Sequence, residues 1–221
     1  MNNRIAKSKL PLRDRKKAKL REALATASLR LFLRQGYTAT TLEQICAECD
    51  VTVPTLLRYF PTKEDLLFAQ QGAHLERCGK LLVQAAANGT VVEVWLQFLR
   101  SAARGVAASP ETTNMYKIIV EAPTLLAKFY AIIRQYKELL EIALCNEAGN
   151  KPGDDLHAHL LAQLLTAGPV ESALRSIKEG STSSMIRRMD AVSTYILENF
   201  GRPERSRAAQ PKDKRSARAR S

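Results

Sequence analysis

Cys46 and Cys49 form a C-x-x-C pair, the first feature of this chain whose residue types and spacing could do chemistry: in a reducing compartment such a pair serves redox exchange or half a zinc site. Neither chemistry finds its complement. No βαβ pattern surrounds the pair, no second Cys/His cluster stands at ligand spacing, and Cys78 and Cys145 are isolated. Cys46 and Cys49 share an apolar helical face with Leu42 and Ile45, so the plain reading is two small packed hydrophobes. His157 and His159, two apart, diverge on a helix. A phosphate loop, a nucleophile elbow and a paired acid-base motif are all missing, so no catalytic residue, metal ligand or cofactor is assigned. What remains is a run of donors suited to phosphates and base edges: Thr41, Gln44, Thr52, Thr55, Arg58, Tyr59 and Lys63.

Those donors sit among three closely spaced helix starts. Thr41 with Gln44, or Thr40 with Glu43, makes a capping box for the first, which satisfies N–H groups that lack intrahelical partners. Asp50-Val51 supplies the turn. Thr52 can cap a second helix in which the early Pro54 costs little, because first-turn N–H groups are unpaired anyway. Phe60-Pro61 ends it, and Thr62 with Asp65 caps a third. Ahead of them Leu20, Ala23, Leu24, Ala27, Leu31 and Phe32 give an amphipathic supporting helix from about 15 to Gly36. Short capped helices around a tight turn are the pattern of a helix-turn-helix DNA reader, at about 41–60.

This stretch resembles the TetR family of bacterial transcriptional regulators. The resemblance is carried by Gly36-Tyr37, Thr41, Ile45, Val51-Thr52, Pro54-Thr55-Leu56, Tyr59-Phe60 and Thr62-Lys63-Glu64, over roughly residues 15 to 75. Cys46, Cys49, Asp50 and Leu57 depart from it. Asp50 tolerates the left-handed turn geometry, whereas Leu57 lacks the hydroxyl that usually touches a phosphate. The resemblance implies a dimeric, ligand-responsive repressor. Its second reader helix enters the major groove with Thr52, Val53, Pro54, Thr55 and Arg58 near bases, Tyr59 and Lys63 on phosphates, and Thr41 and Gln44 against the backbone. Arg58 and Gln44 have the donors best suited to base edges. It also implies a small-molecule pocket within the middle helices, for which Trp95, Phe98, Met115, Tyr116, Phe129, Ile133 and Tyr136 are the candidate lining. Ligand there would move the helix beginning at Lys63 and spread the two readers. For each of these side chains an ordinary filled core is the competing reading.

With 45% hydrophobic residues in 221, a folded chain is expected. No apolar run is long enough to span a bilayer and the start lacks a signal-peptide core, so the chain reads as cytosolic and not membrane-bound. The charge of +12 is concentrated at the ends: residues 1 to 21 carry nine Lys/Arg against Asp14, residues 201 to 221 carry eight against Glu204 and Asp213, and the body between is almost neutral. The reading is therefore an all-α chain in four parts. These are a basic arm over 1–14 that adds phosphate affinity, a helix-turn-helix domain over 15–75, a helical ligand-binding and dimerisation domain over 76–200, and a basic tail over 201–221 expected to be disordered.

In the body, helices are expected from Lys63 to about Ala87, from Thr90 to Ala108, from Pro110 to Val120 and from Pro123 to Cys145. Another runs from Asp154-Asp155 to Gly180, kinked or broken at Gly168-Pro169, and a last one is capped from Ser181 to Ser184. Met185, Met189, Val192, Ile196 and Phe200, with Leu160, Leu164, Leu174 and Ile177, predict a homodimer through a four-helix bundle. The expected partners are operator DNA, a second copy and a mainly apolar effector. Two alternatives remain: a constitutive or architectural DNA-binding protein, and an all-helical enzyme with a vestigial reader.

Overall fold

The computed structural model describes residues 11–201, so the proposed tail beyond 201 and most of the basic arm lie outside the described residues. The chain is all-α. Helix α1 (Leu12–Gln35) buries Leu24, Ala27, Ser28, Leu31 and Phe32. It leaves Ala23 exposed and Leu20 at the margin, and it starts three residues earlier than its apolar stripe suggests. Gly36, at φ 90°, stops it in a backbone region that favours glycine. Helices α2 (Leu42–Cys49), α3 (Val53–Tyr59) and α4 (Lys63–Leu67) close around Ile45, Cys46, Leu56, Phe60, Leu66 and Leu67.

Local chemistry sets their ends. Both capping boxes form: Thr41 Oγ1 accepts from Gln44 N while Gln44 Oε1 accepts from Thr41 N, and Thr62 and Asp65 do the same. Each is worth about 1 kcal/mol to its helix. Thr40 does not cap; its hydroxyl donates to Gly36 O. Asp50 takes the left-handed geometry, φ 51° and ψ 51°, that turns α2 into α3. Thr52 holds the cap position of α3 without making the cap bond, because its hydroxyl pairs instead with Thr55 Oγ1 at 3.1 Å.

The single helix expected over Lys63 to Ala87 is two. After α4 the chain turns at Phe68–Gln70, and α5 (Gln71–Asn88) begins anew. Leu66, Leu67 and Phe68 are all buried, and three consecutive side chains cannot share one face of a straight helix; the break lets each turn inward. Helices α6 (Val91–Ala108), α7 (Pro110–Glu121) and α8 (Pro123–Ala148) follow, with Ser109 Oγ capping α7.

Helix α9 (Leu156–Lys178) starts on Asp155, whose carboxylate accepts from Ala158 N, and it runs without interruption through Gly168-Pro169. Pro169 has no N–H for the carbonyl of Leu165 one turn back. The buried Trp95 indole of α6 supplies it, with Nε1 donating to Leu165 O at 3.0 Å. A side chain seventy residues away thus replaces the missing helix bond.

Helix α10 (Met185–Phe200) packs antiparallel on α9 after a 3-10 turn, Thr182–Ser184, and no serine side chain caps it. The two approach so closely that a Cβ on Gly168 would lie 2.9 Å from Val192 Cγ1. The stripe assigned to a dimer seam therefore needs correcting. Met185, Met189, Ile196, Leu174 and Ile177 are buried within this one chain. The periodicity marked the face turned to the chain's own core. Large apolar side chains left in solvent on these helices are Leu156 and Leu160 at the start of α9 and Tyr195 and Phe200 near the end of α10, so of the expected seam only Leu160 and Phe200 stay exposed.

Candidate functional site

Helix α3 presents Thr52, Pro54, Leu57 and Arg58 to solvent, with Val53, Thr55 and Tyr59 half-buried behind them. The Arg58 guanidinium lies 5.7 Å from the centre of the Tyr59 ring, a cation–π arrangement that holds it near the end of the helix. Beside it, Leu12, Arg13, Lys16, Lys17 and Leu20 of α1 form a shallow depression with Arg58 and Tyr59. Residues read as the end of a basic arm and its continuation are therefore helical and stand next to the reader helix. The signal for them was present: 13, 16, 17 and 20 recur at helical spacing, one face round from the apolar stripe. Arg21 plays a different part. Its guanidinium stacks 4.3 Å over Phe60 and donates to Tyr59 O at 2.9 Å, tying α1 to the end of α3.

Two expected contacts change character. Gln44 Oε1 accepts from Thr41 N and from Gln35 Nε2 at 2.8 Å, so a bidentate approach to adenine would require giving up these bonds. Thr41 is likewise occupied as the cap. The Lys63 ammonium is turned inward, 2.5 Å from Tyr37 O and 4.3 Å from the centre of the Tyr37 ring, and burial lowers its pKa. Reaching a phosphate would require giving up these contacts.

In the body, α5 to α10 line a partly open cavity of about 140 Å³. Trp95, Phe98, Tyr116, Phe129, Ile133 and Tyr136 line it. Met115 does not, because it packs half-buried against the core one residue away from the lining face. The aromatic rings touch in series: Trp95 stacks on Phe98 at 5.9 Å, Phe98 meets Tyr136 at 5.6 Å, and Tyr116 meets Phe129 edge-on at 6.0 Å. The other wall, Thr166, Val170, Leu174, Met185 and Met189, comes from α9 and α10, and Gln71 and His74 come from the start of α5. Sequence reasoning missed the α9 and α10 wall because it had assigned the apolar stripes of those helices to a dimer seam. Burial pushes the Tyr116 and Tyr136 hydroxyls up, so both stay protonated. Tyr136 donates at 3.5 Å to Gln71 Oε1, a long bond.

The cavity and the reader share a helix. Phe129, Ile132, Ile133 and Tyr136 of α8 face the cavity, while Lys128 on the same helix pairs with Asp65 of α4 at 2.6 Å. Burial alone would raise the Asp65 carboxyl, but the hydrogen bonds of Lys128 and Thr62 and the ammonium charge outweigh it and bring it below the usual value. The pair is therefore intact above the ordinary aspartate pKa and weakens as pH falls through the lowered one. Tyr37, whose hydroxyl donates to Glu64 Oε1 at 2.8 Å, braces the other side of α4.

Cys46 is buried and Cys49 half-buried, and desolvation raises both thiols, the reverse of an activated thiolate. Cys78 is pushed up to about 12 by burial. His159 sits at the surface with Nδ1 3.1 Å from Glu141. Among the described residues no group of three or more His, Cys, Asp or Glu is arranged to hold a metal, and no helix is long and apolar enough to cross a membrane.

Residues 24–70 match the family model for bacterial regulatory proteins of the tetR family. The HTH-type transcriptional regulator TcmR of Streptomyces glaucescens is 44% identical over 55 residues, 25% of this chain and 24% of that protein. The HTH-type transcriptional repressor KstR of Mycolicibacterium smegmatis is 36% identical over 87 residues, 39% and 40% of the two chains. The matches thus span less than half the length of these curated relatives. SmeT, the repressor of the Stenotrophomonas maltophilia multidrug efflux pump SmeDEF, shares the fold over 81% of this chain and 89% of its own, with a TM-score of 0.62 at 18% identity. SmeT has also been solved as a complex with triclosan.

Proposed function

We propose that this chain, which belongs through its helix-turn-helix domain to the TetR family of bacterial regulatory proteins, is a dimeric transcriptional repressor that releases its operator when a small molecule fills the cavity. Helix α3 enters the major groove with Thr52, Val53, Pro54, Thr55 and Arg58 toward bases, while Tyr59 and the α1 cations Arg13, Lys16 and Lys17 hold the flanking phosphates. The observation that carries the reading is the continuity of α8, which lines the cavity with Phe129, Ile133 and Tyr136 and holds α4 through Lys128 and Asp65. A ligand that prefers a displaced α8 pulls on α4 and changes the separation of two readers in a dimer. The coupling equals the difference in ligand affinity between the two arrangements. The complex of SmeT with triclosan supports this, as a repressor of the same fold that takes up a small molecule.

The test is a titration of the chain's own upstream DNA against random duplex at moderate salt. A preference for the upstream region, relieved by a small molecule bound to the protein, is expected. Equal binding to both duplexes refutes the reading, and preference that no bound molecule relieves favours a constitutive DNA-binding protein.

Dimerisation rests on the exposed apolar residues at the start of α9 and the end of α10. Leu160→Glu combined with Tyr195→Glu is expected to give a folded monomer, since both side chains are about half exposed or more. Operator affinity should fall by at least about tenfold, because a palindromic site needs both readers. Sedimentation as an unchanged dimer contradicts this placement. Ile196→Glu, by contrast, is expected to unfold the chain by burying a charge.

A further inference from the structure

We infer that the molecule this cavity selects is a compact, uncharged aromatic carrying a hydroxyl group, received by Thr166; the inference rests on the proposed effector site and names its chemistry. Size comes first. A cavity of about 140 Å³ is close in size to the engineered dry cavity of about 150 Å³ that holds one benzene ring, so a single substituted ring fits within it. The serial contacts of Trp95, Phe98 and Tyr136 already provide faces for stacking.

Charge comes second. Among the described residues no Lys, Arg, Asp or Glu lines the cavity. A buried ionic ligand would meet no counter-charge there and would bear its full desolvation penalty. His74 stands on an exposed position of α5 at the margin.

Polarity comes third, and it is where the structure is most specific. The buried hydroxyls of Ser28, Thr40, Ser176 and Ser193 each donate to a backbone carbonyl three or four residues back. Thr166, 2% exposed, is the exception among the described residues: its Oγ1 is fully enclosed and has no partner, and the residue lines the cavity. A buried hydroxyl without a partner is costly, and a turn about the Thr166 Cα–Cβ bond presents it to a ligand hydroxyl that supplies what it lacks. The other obvious donor is already engaged, since the Trp95 indole N–H is held by Leu165 O. Tyr116, on the same lining, carries a second hydroxyl.

The test uses the full chain with 4-methylphenol and toluene, two probes of nearly one shape differing by the hydroxyl. Trp95 is the only tryptophan, so its emission reports occupancy directly, with calorimetry as the second readout. 4-Methylphenol is expected to bind about tenfold more tightly than toluene, although toluene is the more hydrophobic of the two. Thr166→Val should abolish or reverse that preference by weakening 4-methylphenol about tenfold, leave toluene unchanged and not lower the thermal midpoint, since it removes an unpartnered hydroxyl. Thr166→Ser should retain the preference. Toluene binding as tightly as 4-methylphenol to the wild type, failure of both to bind, or a preference that survives Thr166→Val each overturns the inference. Operator release is scored separately: hydroxyl-dependent binding that leaves DNA affinity unaltered supports the ligand assignment and refutes the ligand-responsive repressor.

Discussion

Replacing Lys16 and Lys17 together by glutamate is expected to remove most of the DNA affinity of this protein without touching its fold. Both side chains are exposed on α1 beside Arg58 and Tyr59, so no packing is lost. Acidic residues in the first turns of a helix are also electrostatically favourable. If each lysine neutralises one phosphate, a dimer loses four such contacts, and the slope of log affinity against log salt should flatten by about 0.9 for each, three to four units in all. Affinity at moderate salt should fall by at least about a hundredfold, for operator and random duplex alike, because phosphate contacts carry no sequence information. Arg58→Ala should behave differently: about 1–3 kcal/mol lost on the operator per base contact, little on random DNA, and a salt slope nearly unchanged. A double charge reversal that leaves the salt slope intact would show that the α1 cations face solvent without meeting DNA.

The reader was legible because its determinants are local. A capping box is decided within four residues, and the Asp50 turn by the conformational tolerance of one side chain, so Thr41-Gln44, Thr62-Asp65 and Asp50 behave as their sequence suggests. Less legible was whatever depended on a distant partner, although Thr52 gave up its cap bond to the neighbouring Thr55. Gln44 and Lys63 carry suitable donors and acceptors, but Gln35 and the Tyr37 carbonyl reach them first. The stripe on α10 was correctly periodic; periodicity reports that a face is buried, not whether its own chain or a second copy covers it. That ambiguity moved Met185 and Met189 from the cavity wall to a supposed seam. Thr166 carried no signal at all in sequence, since a threonine within a helix is ordinary until its hydroxyl is seen to lack the carbonyl bond its counterparts make. The unbroken α9 is the sharpest case: Gly168-Pro169 reads as a kink or break, and the indole that supplies the Leu165 carbonyl with its missing donor comes from another helix.

That exchange of donors makes the second large effect a coupled one. Trp95→Phe should destabilise the chain by about 2–4 kcal/mol: the Leu165 carbonyl loses its donor in a fully buried setting, and ring volume is lost beside the cavity. Pro169→Ala restores the helix N–H opposite that same carbonyl and relieves the proline ring from it, at the cost of some buried apolar contact. Alone it should therefore shift stability by no more than about 1 kcal/mol. In the double variant the backbone amide restored by Pro169→Ala satisfies the carbonyl that a phenyl ring in place of the Trp95 indole cannot, since a carbonyl has lone pairs for either donor. The pair should then be less destabilised than the sum of the singles by about 1–2 kcal/mol, read from urea unfolding of the four proteins. Strict additivity would mean that water or a shifted helix already serves Leu165, and the indole bond would then contribute orientation of the Trp95 ring toward the cavity and nothing to the stability of α9.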